Sequence, residues 1–187
     1  TFLMRDPAGL WPRGTYWHLH TRPDELQQMA DGPLKRAAGR LDEALSQSAW
    51  KTVVHGDAKL ANFCFAVDGG SVAAVDFQYA GGGVGVQDVA YFLGSCLGEA
   101  GLRASASGLL EAYFLSFRDA LAARDPGGAG VLAHQVEREW RALWPVAWAD
   151  FERFLAGWAP SHVKRTGFAA ELSSRALAAV ESGCINP

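Results

Sequence analysis

Apolar positions along this chain follow two kinds of spacing, and the change from one to the other marks its organisation. Between Val53 and Asp76 the apolar runs are short: Val53-Val54, Phe63-Cys64-Phe65 and Val72-Ala73-Ala74-Val75. A polar loop and the turn signal Asp68-Gly69-Gly70 separate them. That stretch predicts strand, loop, strand, turn, strand, a small hairpin sheet that gathers polar side chains at one end. Elsewhere the spacing is helical. Pro23-Asp24 opens a helix through Leu26 and Met29, and Gly32-Pro33 interrupts it. Residues 34–48 resume with Leu34, Ala37, Ala38, Leu41, Ala44 and Leu45 on one face. Further helices are expected from Gln87-Asp88 to about Leu97, and from Ser105 to Arg124, where Pro126-Gly127-Gly128 ends the pattern. Another runs over Val131 to Phe154 with a kink or break at Pro145. The last covers Gly167 to Glu181, after a turn at Trp158-Ala159-Pro160. The expected fold class is α+β and mostly helical: a short β-hairpin set among five or six helices.

Residues 1–22 are irregular, with Pro7, Gly9, Pro12 and Gly14 among Trp11, Tyr16 and Trp17. Large aromatic side chains of that kind pack onto something. The segment reads as a connection from something upstream rather than as a domain's own beginning.

Composition narrows the classes of function. The chain has 187 residues, 49% of them apolar and 20% charged, which is the balance of a packed globular unit. A net charge of -3 leaves no broad basic field, so no nucleic-acid partner is expected. Cys64, Cys96 and Cys184 are widely spaced, odd in number and without metal-ligand partners at short spacing, which favours a reduced, cytoplasmic protein. No signal peptide is evident and no apolar run is long enough to span a bilayer, so no membrane partner is expected.

The candidate chemistry lies where the short apolar runs end. His55, Gly56 and Asp57 follow the first run, Asn62 comes five residues after Asp57, and Asp76 closes the third. Phosphoryl transfer depends on positioning and charge neutralisation more than on covalent chemistry. Asp57 would orient the accepting hydroxyl and take its proton. Asn62 and Asp76 supply the hard oxygens that Mg²⁺ prefers. Lys59 could reach the γ-phosphate, and His55 would brace the loop by hydrogen bonding. Asp88 is either a helix N-terminal acid or an anchor behind the catalytic loop. Each of these residues alone is an ordinary turn or cap residue. Together, His-x-Asp-x-x-x-x-Asn followed by Asp-Phe matches the H-R-D-x-x-x-x-N and D-F-G elements of the protein-kinase signature. The glycine-rich run from Phe77 to Gly85 lacks the lysine of a phosphate loop, so a mobile loop beside the site is expected there.

HGDAKLANFCF followed by VDFQYAGGGVGVQDVAYFL resembles the aminoglycoside phosphotransferase and choline-kinase-like superfamily, over roughly His55 to Leu93. Gly56 stands, as in that superfamily, where protein kinases have arginine. Gln78 in place of the Asp-Phe-Gly glycine resembles the branch related to ecdysteroid and choline kinases. Lys59 stands where many aminoglycoside enzymes have histidine. The resemblance implies Asp57 as catalytic base, Asn62 and Asp76 as Mg²⁺ ligands, ATP as co-substrate and Asp88 as a structural acid tying the next helix to the catalytic loop. It also implies a protein-kinase-like C-terminal lobe. Residues 1–22 would connect it to a missing N-terminal β lobe, residues 52–88 would be its catalytic and metal-binding segment, and residues 89–187 its acceptor-binding helices. No strand-rich segment with a Val-Ala-Ile-Lys-like lysine precedes Leu26, so this chain alone is expected to have negligible kinase activity.

For the acceptor, the candidates are the aromatic residues Trp140, Trp144, Trp148, Phe151, Phe154 and Trp158, of which Trp140, Trp144 and Trp148 recur every four positions, a spacing that would suit cation–π binding of a choline-like ammonium. Simple core packing is the plainer reading of the same stripe. The acids Glu137, Glu139, Asp150 and Glu152 alternate with Arg138, Arg141 and Arg153, which does not favour a polycation. His162 and Lys164 could meet an anion, although a solvated surface is the plainer reading. The leading expectation is an ATP- and Mg²⁺-dependent phosphotransferase acting on a small-molecule hydroxyl. A catalytically idle binding module and a metal-dependent phosphoester hydrolase are the alternatives.

Overall fold

A computed structural model of the chain describes residues 9–20, 22–124 and 129–183. In chain order its elements begin with helices α1 (Pro23–Gln28) and α2 (Pro33–Ser46), strand β1 (Thr52–Val54) and a 3₁₀ turn at Leu60–Asn62. Strands β2 (Phe63–Phe65), β3 (Val72–Ala74) and β4 (Gly81–Gly83) follow, then helices α3 (Gly85–Cys96), α4 (Glu99–Arg124), α5 (Ala129–Trp158) and α6 (Gly167–Glu181). The described chain is mostly helical with small antiparallel sheets. Pro7, the expected break at Pro126-Gly127-Gly128, and Cys184 lie outside the described residues. No described helix is long and apolar enough to cross a membrane.

Helix α5 is the hub, packed by α1, α2, α3, α4 and α6. It runs through Pro145 as one helix, so the alternative of a break at that position does not hold. A proline inside a helix costs about 3 kcal/mol through its missing N–H and its clash with the preceding turn. Leu143, Trp144, Val146, Ala147 and Trp148 flank it and are all buried. Each large side chain contributes about 1.5–3 kcal/mol on burial, so packing offsets the proline. The Trp140, Trp144 and Trp148 stripe belongs to this core. A second, smaller cluster joins Trp17 to Tyr91, Phe151, Phe154 and Leu155.

The strands do not form the single hairpin sheet expected. β2 pairs antiparallel with β3, Phe63 opposite Ala74 and Phe65 opposite Val72. β1 pairs instead with β4, Val53 opposite Gly82. The glycine-rich run, expected as a mobile loop, therefore holds a buried strand. Its glycines let backbone approach backbone: Trp11 N–H donates to Ala80 O at 3.0 Å, Gly14 N–H to Gly82 O at 2.9 Å and Gly82 N–H to Trp11 O at 3.2 Å. A Cβ on Gly81 would meet the Trp11 carbonyl and stand 2.7 Å from Gly14 N. The early aromatic residues find their partners here. Trp17 is buried, whereas Trp11 stays 56% exposed with its indole N–H bonded to Gln78 O at 2.8 Å.

Candidate active site

β1 ends at Val54, and the chain then turns sharply at Gly56, whose φ is +81°. Only glycine adopts that backbone freely. A Cβ there would also meet the Tyr79 carbonyl and lie 2.8 Å from Thr15 N. The turn is held from below by Asp88, in the first turn of α3. Its carboxylate accepts from His55 N–H at 2.6 Å and Gly56 N–H at 3.1 Å. Burial pushes the Asp88 pKa up, and those two backbone N–H groups pull it back down.

Asp57 is 3% exposed, and its two carboxylate oxygens differ. Oδ2 accepts from Lys59 Nζ at 2.7 Å and from Asn62 Nδ2 at 3.1 Å. Oδ1 is buried without a partner in hydrogen-bond geometry, and the Tyr91 hydroxyl is close enough to the carboxylate to feel its charge. Buried polar atoms are usually satisfied. Among the described residues the carboxylates of Glu25, Asp57, Asp150 and Glu152 each leave one buried oxygen orphaned, and of these Asp57 is the one that lines an open cleft.

His55 ties this loop to the strand that carries Asp76. Its Nδ1 accepts from Asp57 N–H at 3.3 Å, and its Nε2 stands 2.9 Å from Val75 O. A carbonyl can only accept, so Nε2 carries the proton and the ring is the neutral Nε2–H tautomer. The ring also packs on Phe77, at 4.8 Å between centroids.

Asn62 uses its amide NH₂ on the main-chain and side-chain oxygens of Asp57, at 2.8 and 3.1 Å. Its own carbonyl oxygen is thereby left to other partners. Val75 N–H donates to Asn62 O at 2.9 Å, which brings Asp76 alongside. Asp76 has φ +64° and is exposed. Its carboxylate makes no ion pair or hydrogen bond among the described residues. A non-glycine residue in the left-handed region is uncommon and concentrates at functional sites. One amide oxygen and one unpaired carboxylate fit Mg²⁺, which takes one or two protein oxygens and completes its shell with water and phosphate. Among the described residues no group of three His, Cys, Asp or Glu side chains stands ready to cage a metal.

Asp57 and Lys59 open onto a cleft of about 370 Å³. Tyr16, Tyr79, Tyr91, Phe151, Leu155 and Trp158 line it, with Arg22, Gln78, His162 and Lys164. Burial, with the Tyr16 hydroxyl and the Asp57 charge beside it, holds the Tyr91 hydroxyl well above its ordinary pKa. Trp140, Trp144 and Trp148 do not line this cleft. They are enclosed in the helical core, where Trp140 donates its indole N–H to Trp50 O at 3.0 Å. The structure thus brings His55, Asp57, Lys59, Asn62 and Asp88 into one hydrogen-bonded neighbourhood, sets Asp76 next to it through the Val75–Asn62 bond, and leaves the tryptophan stripe out of it. Of the aromatic residues named as acceptor candidates, Phe151 and Trp158 line the cleft and Phe154 does not. Tyr16 and Tyr91 were not singled out as a site by spacing, because they lie in separate parts of the chain. Tyr91, one turn beyond Asp88 on α3, was the nearest to a legible signal.

A family model, the ecdysteroid kinase-like family, matches residues 16–124, which include every one of these motif residues. No curated protein and no solved structure gives a significant match.

Proposed function

The chain belongs to the ecdysteroid kinase-like family, and with that premise we propose that it is the catalytic part of an ATP- and Mg²⁺-dependent phosphotransferase acting on a small-molecule hydroxyl. The family implies kinase-like phosphotransferases of small molecules. The observation that carries the finer reading is the asymmetry of Asp57: one oxygen tethered, the other buried and unpartnered. Oδ1 takes the proton of the acceptor hydroxyl as that oxygen bonds to the γ-phosphorus. The bond from phosphorus to the ADP oxygen breaks, and ADP leaves. Lys59 holds the other Asp57 oxygen and places its positive charge where charge builds in the transition state. Asn62 and Asp76 would hold Mg²⁺, which when bound neutralises phosphate charge. His55 and Asp88 position the loop without touching substrate. In this reading residues 52–88 form the catalytic and metal-binding segment of a protein-kinase-like C-terminal lobe.

An idle binding module would have no use for a tethered base beside two unpaired oxygen donors. Equilibrium binding of ATP with and without Mg²⁺ separates the two readings. Mg²⁺-dependent binding is expected, weakened at least about tenfold by Asn62→Ala or Asp76→Ala, as for loss of a metal-supporting group. Binding that ignores Mg²⁺ and both substitutions contradicts the proposal.

A further inference from the structure

The cleft over Asp57 is lined by more positive than negative side chains. Three cations line it, Arg22, Lys59 and Lys164, against one carboxylate, that of Asp57. Two of the cations are occupied. Arg22 bonds Glu25 Oε1 at 3.2 Å, and Lys59 bonds Asp57 Oδ2 at 2.7 Å. Lys164 is not paired: among the described residues no acid bonds it, and its ammonium lies over the Tyr91 ring, 5.1 Å from the centroid. It sits on the loop between α5 and α6, half-buried, and lines the cleft together with Asp57 and Lys59. Burial and the neighbouring Lys59 charge push its pKa down, and the Asp57 charge only partly opposes them. His162, beside it, is likewise pushed down by burial and by Lys164, and adds no charge of its own near neutral pH.

A half-buried cation without a partner is costly, and an anion in the cleft removes that cost. The walls fix the rest of the ligand's character. Tyr16, half-buried, and Trp158, 53% exposed, present ring surface at the cleft, while Tyr91 and Phe151 lie buried behind it. We propose that Lys164 and the Tyr16 and Trp158 rings form an acceptor subsite for a flat alcohol that carries an oxyanion, a carboxylate or a phosphate, besides the reacting hydroxyl. The inference rests on the reading of Asp57 as the base that receives that hydroxyl. It runs against a choline-like or aminoglycoside acceptor, whose cationic groups Lys164 would repel.

The test uses four matched probes on the nucleotide-free protein, by isothermal titration calorimetry: 4-(hydroxymethyl)benzoate, 4-(hydroxymethyl)phenyl phosphate, the neutral 4-(hydroxymethyl)benzamide and the corresponding trimethylammonium alcohol. At least one anionic probe is expected to bind about tenfold or more tighter than the amide, the scale of one charge-assisted contact. The cation is expected to bind weakest. Which anion leads separates a carboxylate acceptor from a phosphate one. Lys164→Met should bring the anionic probes down to the amide's affinity without changing the amide, and Lys164→Arg should restore the preference. Equal binding of all four, preference for the cation, failure of both anions to bind, or an anion preference that survives Lys164→Met overturns the subsite. So does a Lys164→Met variant that loses Mg·ATP affinity while keeping its probe preferences, which would place the lysine on the nucleotide. The two readings fail separately. Anion preference without Mg²⁺-dependent ATP binding sinks the phosphotransferase reading alone, and the reverse sinks this subsite alone.

Discussion

Asp57 shows how one side chain is given a direction. Lys59 and Asn62 take Oδ2, so the carboxylate cannot rotate to present either oxygen indifferently. Gly56 makes that placement possible, since any side chain there would collide with the Tyr79 carbonyl in a left-handed backbone that glycine alone adopts freely. His18 has its pKa lowered to about 4, chiefly by burial and then by Arg13, with Asp42 opposing and His20 and Arg153 adding to the fall. The sign of its effect follows from linkage. The unfolded chain takes up a proton near 6.5 and the folded chain only near 4. Stability is therefore fully present above pH 6.5 and is lost as pH falls towards 4. Urea unfolding midpoints measured from pH 7 to pH 4 should fall over that window, and His18→Gln should flatten the slope. An unchanged slope in the variant would remove His18 from the account.

Between elements, the tie that matters most is α3 to the loop after β1. Asp88 satisfies two backbone N–H groups that otherwise lie unpaired below the catalytic turn. An unsatisfied buried donor costs about 1–3 kcal/mol, so Asp88→Ala should destabilise by about 2–5 kcal/mol, read from denaturant unfolding. A loss under about 0.5 kcal/mol, the range of an ordinary surface substitution, would mean that the loop does not depend on this anchor. At this scale the sequence was legible where a pattern was strong and local. Helix α6 spans Gly167–Glu181 as its periodicity predicts, with Thr166 accepting from Ala169 N–H at 3.2 Å as its cap. Helix α4 begins at Glu99 rather than Ser105, because Leu102 and Ala106 are buried beneath a stretch whose glycine and small residues give little helical signal. Strand β4 was illegible because three glycines have no strand preference of their own. Their conformation comes from Trp11 and Gly14, nearly seventy positions earlier. The motif residues were readable because their spacing is local. The cleft was legible only in pieces, Phe151, Trp158 and Lys164 each on its own, because no periodicity connects them with Tyr16 and Tyr91.

Across the whole molecule, the cleft is assembled from three distant parts of the chain and held by the packing of α5. Tyr16 and Arg22 come from the segment before α1, Asp57, Lys59 and Tyr91 from the motif region, and Phe151, Trp158 and Lys164 from α5 and the loop beyond it. The family match ends at residue 124, before that last wall. Membership therefore speaks for the chemistry, and the acceptor must be argued from the wall's own residues. The most direct test of the account is the yield of phosphorylated alcohol and ADP from Mg·ATP, measured for the full-length protein and for Asp57→Asn. Losing a positioned general base should lower turnover by about 10²–10⁴-fold while Mg·ATP binding persists. An Asp57→Asn variant that transfers phosphate at the parent's rate would contradict the account.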